Sequence, residues 1–422
     1  MMFEIKKKIK QNKIVYSLAL KAYQMTVKLR KIRGKNPVLR FFFRIITGCK
    51  HRRLQNISVS SFCKTMGIQI VIEAKEQNRT VFVPEIVFST RPQEQVEFLT
   101  PSIFSTVLPD SIITGENNHL VIGNYCLNER FDFPQANEID FCHGSKCLYH
   151  DNQNSLVEID AHCKEIKEGI PLYGEASLNY YHWLFDICGS IVYVNRHPEL
   201  KRVPLLVDQA TYERPTFMEL LKCVDYYEHP IMVLKRNKTY LVRKLFYFSP
   251  CSFGSVYSKT SSNHKTESIS INYTKNKDVI NLYRSIINKN TEGSAYGTKL
   301  FITRGDRKRL SNEDEAFSIA KKFGFERIRP ERLSLSQQIS AFSNADYVIA
   351  EYGAGCTNVL WGKEKSLFLV LTPKSRIDYF FSTIAYECKV QYSVFLTEGY
   401  DQALQHHVEL DKFDDYLSSL FK

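Results

Sequence analysis

The amino-acid sequence predicts an α/β protein with two domains, each built on a parallel sheet that helices cover. Buried strands alternate with helices along residues 178–248 and again along residues 299–371, and such alternation is typical of parallel sheets. Residues 253–274 lie between these regions, contain few apolar side chains and are rich in Ser, Thr, Asn and Lys, which indicates a linker. A chain of 422 residues is long enough to bury two separate cores.

The first domain is predicted to span residues 54–252. As far as residue 175, turns alternate with short β-type runs at 68–72, 80–83 and 120–122. The elements that follow are, in order, a helix at 178–194, a strand at 203–207, a helix at 214–223, and strands at 231–234 and 240–248.

The second domain is predicted to span residues 275–400. Its strands are expected at 299–303, 325–328, 347–350 and 367–371, and the helices between them at 312–323, at 334–343 and from 357 onwards. This βαβαβαβ order is the signature of a Rossmann-like nucleotide-binding domain. Residues 401–422 are predicted to form a closing helix.

The positive charge is concentrated in an N-terminal arm, residues 1–53. The arm carries 16 Lys or Arg and one acidic residue, a charge of +15, so the rest of the chain holds −3 of the total of +12. Its most apolar stretch contains Arg40 and Arg44 and falls short of the roughly 20 apolar residues of a membrane span. Lysines beside phenylalanines suit an anionic membrane surface. We therefore expect a cytoplasmic protein, peripheral on the inner face of the membrane; a solvated tail and an RNA-binding arm are the alternatives, although no nucleic-acid partner is expected.

Cysteine usage is typical of reduced, cytosolic thiols. The eleven cysteines are an odd number and include no CxxC pair. One group of Cys and His residues has spacings that fit a structural zinc site poorly, so buried thiols and loop histidines are expected instead. Its members are Cys142, His143, Cys147, His150, His162 and Cys163.

A glycine-containing loop follows the predicted strand at 347–350. Gly353 and Gly355 allow the backbone to approach a ligand closely, and a helix that starts after them would offer unpaired N–H groups to phosphate. Thr357 or Asn358 can cap that helix, and Ala354 completes the loop. A tight turn without any ligand is the alternative.

A basic loop follows the neighbouring predicted strand. Arg304, Arg307, Lys308 and Arg309 accompany one acid, Asp306, at the carboxyl end of strand 299–303. Four cations at such a position suit a diphosphate, and the planar guanidinium group suits it best. A solvated basic loop is the alternative.

A third group of functional candidates lies on the predicted helix 178–194. His182 and Asp186 are four residues apart and therefore share one helical face, where a carboxylate can orient an imidazole for general-base catalysis or serve as the base itself. Asn179 and Trp183 are candidates for binding a sugar acceptor, the latter through its indole face. The alternative is a core helix with a hydrogen-bonded histidine.

Four segments, in order, resemble glycosyltransferase family 61: NYYHWLFD at 179–186, FITRGDRKRLSNEDE at 301–315, GFERIRPERLSLSQQISAF at 324–342, and YGAGCTN at 352–358. Together they span about 180 of the 422 residues. One departure stands out, because Tyr352 replaces the histidine that usually precedes GAG in this family, and tyrosine is a poor base near neutral pH.

The resemblance implies a GT-B fold, in which two Rossmann-like domains face a cleft, and an inverting transfer from a nucleotide sugar. It places Arg304, Arg309 and the loop 353–358 at the donor phosphates, Glu331 and Gln338 near the base and ribose, and His182 and Asp186 on the acceptor side. Asn312 and Glu313 are expected to act structurally at a helix start. The chain has no Asp-x-Asp triplet, so neither a metal nor another cofactor is expected.

The expected partners are a nucleotide-sugar donor and a glycan or lipid-linked acceptor in capsule or lipopolysaccharide synthesis. A protein O-glycosyltransferase and a catalytically silent nucleotide- or sugar-binding scaffold are the alternatives.

Overall fold

The computed structural model describes residues 49–89, 95–132, 146–151, 153–174, 176–252, 275–289, 295–304, 310–373, 380–399 and 405–422. Nearly all of the N-terminal arm and all of the linker 253–274 lie outside these residues. The described chain forms two compact units. The first contains residues up to 76 together with 101–251, and the second contains 77–100 and most of the chain from 252 onwards. The single boundary predicted between the domains is therefore wrong for residues 77–100.

The strands of the described residues are, in chain order, β1 (Cys49–Ile57), β2 (Ile70–Ala74), β3 (Gln77–Phe82), β4 (Glu85–Ile86), β5 (Gln95–Thr100), β6 (Ile103–Thr114), β7 (Leu120–Ile122), β8 (Tyr125–Leu127), β9 (Cys147–His150), β10 (Asn154–Asp160), β11 (Lys164–Leu172), β12 (Leu205–Asp208), β13 (Ile231–Leu234), β14 (Thr239–Phe248), β15 (Lys299–Ile302), β16 (Glu326–Ile328), β17 (Tyr347–Glu351), β18 (Leu367–Pro373) and β19 (Gln391–Thr397).

The α-helices of the same residues are Val59–Met66, Tyr180–His182, Ile191–Val194, Gln209–Tyr212, Pro215–Val224, Lys277–Arg284, Glu313–Lys322, Leu335–Asn344, Ser382–Glu387 and Leu410–Leu420. Short 3-10 helices occupy Glu129–Asp132, Cys188–Ser190, Pro198–Leu200, Ile287–Lys289, Pro330–Arg332 and Ala354–Trp361, and Trp183–Ile187 is a π-helix. In the described part of the chain, every helix is too short or too polar to cross a lipid bilayer.

The first unit is built on one mixed sheet. Its strands lie side by side in the order β13-β12-β11-β14-β6-β7-β8-β1-β10-β9. The first four of them pair in parallel, and β14 then pairs antiparallel with β6. The parallel strands β12, β13 and β14 contribute completely buried side chains to one hydrophobic core, namely Leu206, Leu234, Val242 and Leu245. The predicted parallel sheet thus accounts for only part of this unit, because antiparallel strands extend it at one side.

Five residues assigned to the arm belong to this sheet. Residues 49–53 form the beginning of β1, which pairs antiparallel with β10 from Cys49 opposite Asp160 onwards. Leu54 is almost completely buried in a second small core beneath the same strands. The first unit therefore includes residues before 54, the predicted boundary.

The second unit contains a parallel sheet in the order β16-β15-β17-β18-β19-β4. The first four of these strands match the predicted positions to within about two residues. The chain order of the first five strands is 2-1-3-4-5, which is the flavodoxin-like arrangement of a doubly wound sheet. In such sheets the connections leave neighbouring strands β15 and β17 in opposite directions, which opens a crevice at their carboxyl ends.

Residues from early in the sequence complete the second unit. The strand β4 pairs with β19, and the antiparallel hairpin β3–β5 packs on the helix Ser382–Glu387. Arg79 in the hairpin forms an ion pair with Glu387. This arrangement explains why residues 77–100 do not belong to the first unit.

The C-terminal helix closes the core of the second unit. It spans Leu410–Leu420, shorter than the predicted segment 401–422, of which residues 401–404 lie outside the described chain. Phe413 and Leu417 are completely buried against Phe395 and Leu369 from the sheet. The helix is amphipathic, and its apolar side therefore determines where it packs.

Candidate functional site

The first group of candidate residues lies on a helix that contains α-helical, π-helical and 3-10 turns in succession. Asn179 caps its start, because the side-chain Oδ1 accepts a hydrogen bond from the backbone N of Tyr181 at 3.0 Å. One α-turn over Tyr180–His182 passes into the π-helix Trp183–Ile187, then into a 3-10 turn and a final α-turn that ends at Val194. Single π-turns within helices occur frequently at functional sites.

His182 and Asp186 form a close pair on this helix. Nδ1 of His182 lies 2.6 Å from Oδ2 of Asp186, and their side chains are 13% and 11% exposed. This contact uses Nδ1 and leaves the other ring nitrogen, Nε2, outside the pair. A carboxylate at Nδ1 holds a neutral imidazole with its proton on that nitrogen and leaves the lone pair of Nε2 available as a base.

Trp183 does not have the role that its sequence position suggests. It is completely buried, and its indole stacks on Phe217 with ring centroids 5.7 Å apart and planes 5° apart. The prediction that its face binds a sugar is therefore wrong, because both faces are enclosed by protein. Asn179 is exposed, although its side-chain oxygen is already used to cap the helix.

The second group of residues surrounds the carboxyl end of β15. Glu313 is 1% exposed and binds two groups at this end: its Oε1 accepts a hydrogen bond from the Thr303 hydroxyl, and its Oε2 accepts one from the backbone N of Arg304 at 3.3 Å. Asn312 makes no capping bond. Its side chain instead bonds both the carbonyl and the N–H of Val408, at 2.8 and 3.1 Å.

The Arg304 guanidinium extends from β15 to the loop after β17. Its Nη1 donates a hydrogen bond to the carbonyl of Tyr352 at 3.3 Å and lies 3.8 Å from Oε1 of Glu351. A Cβ atom added to Gly353 would lie 2.8 Å from Cζ of Arg304, and Gly353 has φ +156°, a conformation that favours glycine. The structure thus brings together Arg304 and the glycine loop, as the sequence analysis expected.

Glu351 and His406 are functional candidates that the sequence analysis did not identify. Oε1 of the buried Glu351 lies 3.7 Å from Nε2 of His406, whose Nδ1 lies 2.8 Å from the hydroxyl oxygen of Thr397. Glu351 could have been noticed as an acid at the end of a buried strand. His406 gave no such signal, because it lies in a polar stretch before the last helix.

The helix after the glycine loop is a 3-10 helix and begins at Ala354, three residues earlier than predicted. Thr357 and Asn358 therefore lie inside it, 0% and 1% exposed, and the prediction that one of them caps it is wrong. Asn358 Nδ2 donates to the carbonyl of Gly355 at 3.1 Å. Within the described residues, Thr357 Oγ1 and Asn358 Oδ1 are buried without hydrogen-bond partners.

Glu331 and Gln338 lie near the carboxyl end of β16. Glu331 is exposed in the 3-10 turn Pro330–Arg332. Gln338 is 5% exposed, and its Nε2 donates to the carbonyl of Leu333 at 3.1 Å, so this amide group stabilises the turn. Arg309 lies outside the described residues.

These features lie along one edge of the second unit's sheet. Thr303 N donates to the carbonyl of Ile328 at 3.0 Å, which keeps the ends of β15 and β16 side by side. The Arg304 side chain connects β15 with the loop after β17. A guanidinium, a glycine loop and a helix start at a topological switch point are suited to binding an anionic ligand.

One buried carboxylate in the first unit was also missed. Asp208 ends β12 and is 0% exposed, and burial raises its pKa to about 7. Its oxygens accept hydrogen bonds from the backbone N of Gly174 at 3.0 Å and of Glu116 at 2.6 Å. An acid at the carboxyl end of the apolar run LLVD was the available signal.

Four of the six residues considered for zinc lie in the described chain, and there no group of three or more His, Cys, Asp or Glu side chains is arranged to hold a metal ion. Cys142 and His143 lie outside it.

Comparison with known families gives one match. Residues 180–369 match the family model described as Glycosyltransferase 61. The matched range includes the His182–Asp186 pair, Arg304 and the glycine loop, and it ends within β18. No curated protein matches the chain.

Proposed function

This chain belongs to glycosyltransferase family 61 and is a glycosyltransferase, and from this premise we propose an inverting transfer from a nucleotide sugar to a glycan acceptor. The acceptor is a polysaccharide or a lipid-linked glycan of capsule or lipopolysaccharide synthesis. The observation that supports this proposal most directly is the contact of 2.6 Å between His182 Nδ1 and Asp186 Oδ2.

His182 is the base of the proposed reaction. Its Nε2 takes the proton of the acceptor hydroxyl while that oxygen forms a bond to the anomeric carbon of the donor. The bond from this carbon to the diphosphate oxygen breaks, and its electron pair leaves with the diphosphate. Attack from the opposite side inverts the anomeric configuration. Asp186 keeps the proton of the neutral ring on Nδ1 and stabilises the imidazolium that forms.

Arg304 and the glycine loop bind the donor diphosphate in this proposal. The guanidinium supplies positive charge where negative charge develops on the leaving group, so a metal ion is not required. Arg304 contacts the backbone carbonyl of Tyr352, and this contact does not depend on which side chain occupies position 352. The replacement of the family's histidine by Tyr352 is therefore compatible with donor binding.

The proposal includes the GT-B arrangement that the family resemblance implies, with the acceptor on the first domain and the donor on the second. It also includes attachment of the basic arm, through residues 1–48, to the inner face of an anionic membrane. Each Lys or Arg near such a surface contributes about 1 kcal/mol of attraction. Sedimentation of the full chain with phosphatidylserine vesicles, compared with phosphatidylcholine vesicles, tests the attachment. Equal sedimentation with both would contradict it.

Two experiments test the transferase proposal. In a thermal-shift screen of nucleotides and nucleotide sugars, with and without divalent metal, a ligand at 100 times its Kd should stabilise the protein by about 2.7 kcal/mol. With the donor that this screen selects, His182→Ala and Asp186→Asn should abolish transfer and retain donor binding, whereas Arg304→Ala should weaken donor binding.

The chain offers a matched control for the base. His229 and Asp225 are also four residues apart, with Nδ1 2.6 Å from Oδ1, although the His229 side chain is 0% exposed. His229→Gln should lower stability and leave the transfer rate per folded molecule unchanged. Near-normal transfer by both His182→Ala and Asp186→Asn would contradict the assigned base. No thermal shift with any nucleotide would instead favour a catalytically silent scaffold.

A further inference from the structure

We propose that Asp208 is a positioning residue for the transfer reaction, because its carboxylate fixes the backbone from which the His182 helix begins. The inference rests on the proposed function, since it concerns the placement of the proposed base. Asp208 itself is not a catalytic residue.

The Asp208 carboxylate joins the end of β12 to two other segments of the first unit. Oδ2 accepts a hydrogen bond from Gly174 N, just after β11, and Oδ1 accepts one from Glu116 N, just after β6. The Ser177 hydroxyl lies near this carboxylate and lowers its pKa, in opposition to the larger effect of burial. Asp208 is completely buried, so water does not compete for these bonds.

Each of the two segments that bind Asp208 contains one residue with an unfavourable backbone conformation. Ala176 has φ +61° and Glu116 has φ +60°, although neither residue is glycine. Side chains with a Cβ rarely adopt this region, and such conformations persist only where the surroundings fix them. Asp208 binds the backbone N of Glu116 itself and that of Gly174, two residues before Ala176, and these bonds supply this constraint.

The constraint continues to the helix of His182. The carbonyl of Ala176 accepts a hydrogen bond from Asn179 N at 2.7 Å, and Asn179 caps that helix. Thr211 Oγ1, three residues after Asp208, donates to the carbonyl of Ser177 at 3.4 Å. Gly174 also lies beside this helix, since an added Cβ would be 3.4 Å from Cδ1 of Ile187, an ordinary van der Waals distance. The start of the helix is therefore held from Asp208 at several points.

A carboxylate suits this position better than an amide does. Above its pKa of about 7 the Asp208 carboxylate is ionised and offers only acceptors, and all the groups that it binds donate hydrogen bonds. In Asp208→Asn, the amide NH₂ would face one backbone N–H, and that contact would be lost. Because a small displacement of a catalytic group lowers the rate strongly, we expect kcat to fall about 10- to 100-fold with KM for the donor unchanged.

The test compares Asp208→Asn with Asp225→Asn in the full chain. Asp225 is a buried aspartate of the same unit that accepts bonds from the backbone N of Tyr227 and His229. Hydrogen exchange is measured over residues 173–187. The ¹⁵N signals of the His182 ring, assigned with His182→Ala, report the contact between Nδ1 and Asp186 without any substrate. Transfer is then measured with the nucleotide sugar that wild type uses.

Asp208→Asn should accelerate exchange in residues 173–187, change the His182 ring signals and lower kcat. Asp225→Asn should do none of these. Because glycine adopts positive φ without strain, Ala176→Gly added to Asp208→Asn should restore part of kcat. Thr211→Val should lower kcat to a smaller extent. This variant replaces Asp208→Asn in the test if Asp208→Asn does not fold.

The outcomes separate this inference from the proposed function. If His182→Ala abolishes transfer while Asp208→Asn and Thr211→Val keep the wild-type ring signals and kcat, the inference is wrong and the proposed function stands. The inference is also wrong if Asp225→Asn reproduces every effect of Asp208→Asn, because general destabilisation then explains them. If His182→Ala retains normal transfer, the proposed function fails and this inference fails with it.

Discussion

The guanidinium of Arg304 occupies the space that a side chain at position 353 would need. An added Cβ would lie 2.8 Å from Cζ of Arg304, closer than carbon atoms approach without a shift of one of them. The glycine at this position therefore has two functions. It adopts a backbone conformation that other residues avoid, and it leaves room for the cation that the donor is proposed to need.

Gly353→Ala should weaken binding of the nucleotide donor by about tenfold or more, which corresponds to about 1.4 kcal/mol. The new methyl group displaces Arg304, and a residue with a Cβ strains the loop. Titration calorimetry with the nucleotide identified by thermal shift measures the effect. Gly324→Ala is the matched control, since Gly324 has φ +86° and open space around its Cα. Equal loss of affinity in both variants would show that strain alone is responsible.

Glu313→Gln should lower the free energy of unfolding by about 1–3 kcal/mol and weaken donor binding. The carboxylate accepts bonds from both Thr303 and the backbone of Arg304, and an amide can accept only with its single oxygen. Denaturant unfolding and calorimetry measure the two effects. Glu315→Gln, at an exposed position on the same helix, is expected to change neither. Unchanged donor affinity in Glu313→Gln would argue against a link between Glu313 and the placement of Arg304.

Trp183→Phe should reduce stability by about 0.5–3 kcal/mol and leave KM for the acceptor unchanged. The substitution removes part of a buried ring that stacks on Phe217, but it changes no exposed surface. Thermal unfolding and acceptor titrations under saturating donor provide the comparison. A large rise in KM for the acceptor without loss of stability would contradict this prediction and would indicate that Trp183 binds the sugar.

His119 should make the first unit sensitive to acid. It is buried, neither ring nitrogen has a partner among the described residues, and burial lowers its pKa to about 4, with a further contribution from Lys146. Between pH 4 and 6.5 the unfolded chain binds this proton and the native chain does not. The free energy of unfolding therefore rises with pH across this window, by on the order of 3 kcal/mol.

His119→Gln should flatten that rise in denaturant unfolding measured at several pH values. An identical slope in wild type and His119→Gln would show that His119 titrates alike in the folded and unfolded chain.

Continuous apolar runs allowed several strands to be predicted from the sequence. The runs at 231–234 and 120–122 correspond to β13 and β7 residue for residue. All three residues of β7 are buried, whereas only Leu234 is buried in β13. The position of β4 was not predictable in the same way. Two residues, Glu85 and Ile86, carry no periodic pattern, and their partner β19 lies about three hundred positions later.

Contacts between candidate residues were predictable where they depend on local spacing or on neighbouring strands. His182 and Asp186 meet because they are four residues apart on one helix, and Arg304 meets the glycine loop because neighbouring parallel strands end together. Burial was harder to infer. Trp183 lies one position from His182, and only tertiary packing determines which of the two side chains is enclosed.

The hairpin β3–β5 has a consequence for synthesis of the chain. It is translated early, but its partner helix and the strand that pairs with β4 belong to residues 382–397, and Arg79 is 308 residues from Glu387. The ribosome therefore releases this segment long before its binding site exists. Contacts at such sequence separation form slowly. The hairpin therefore cannot pack on its partner helix while the ribosome is still synthesising the first unit. A cut at the linker 253–274 would also leave the C-terminal half without this hairpin.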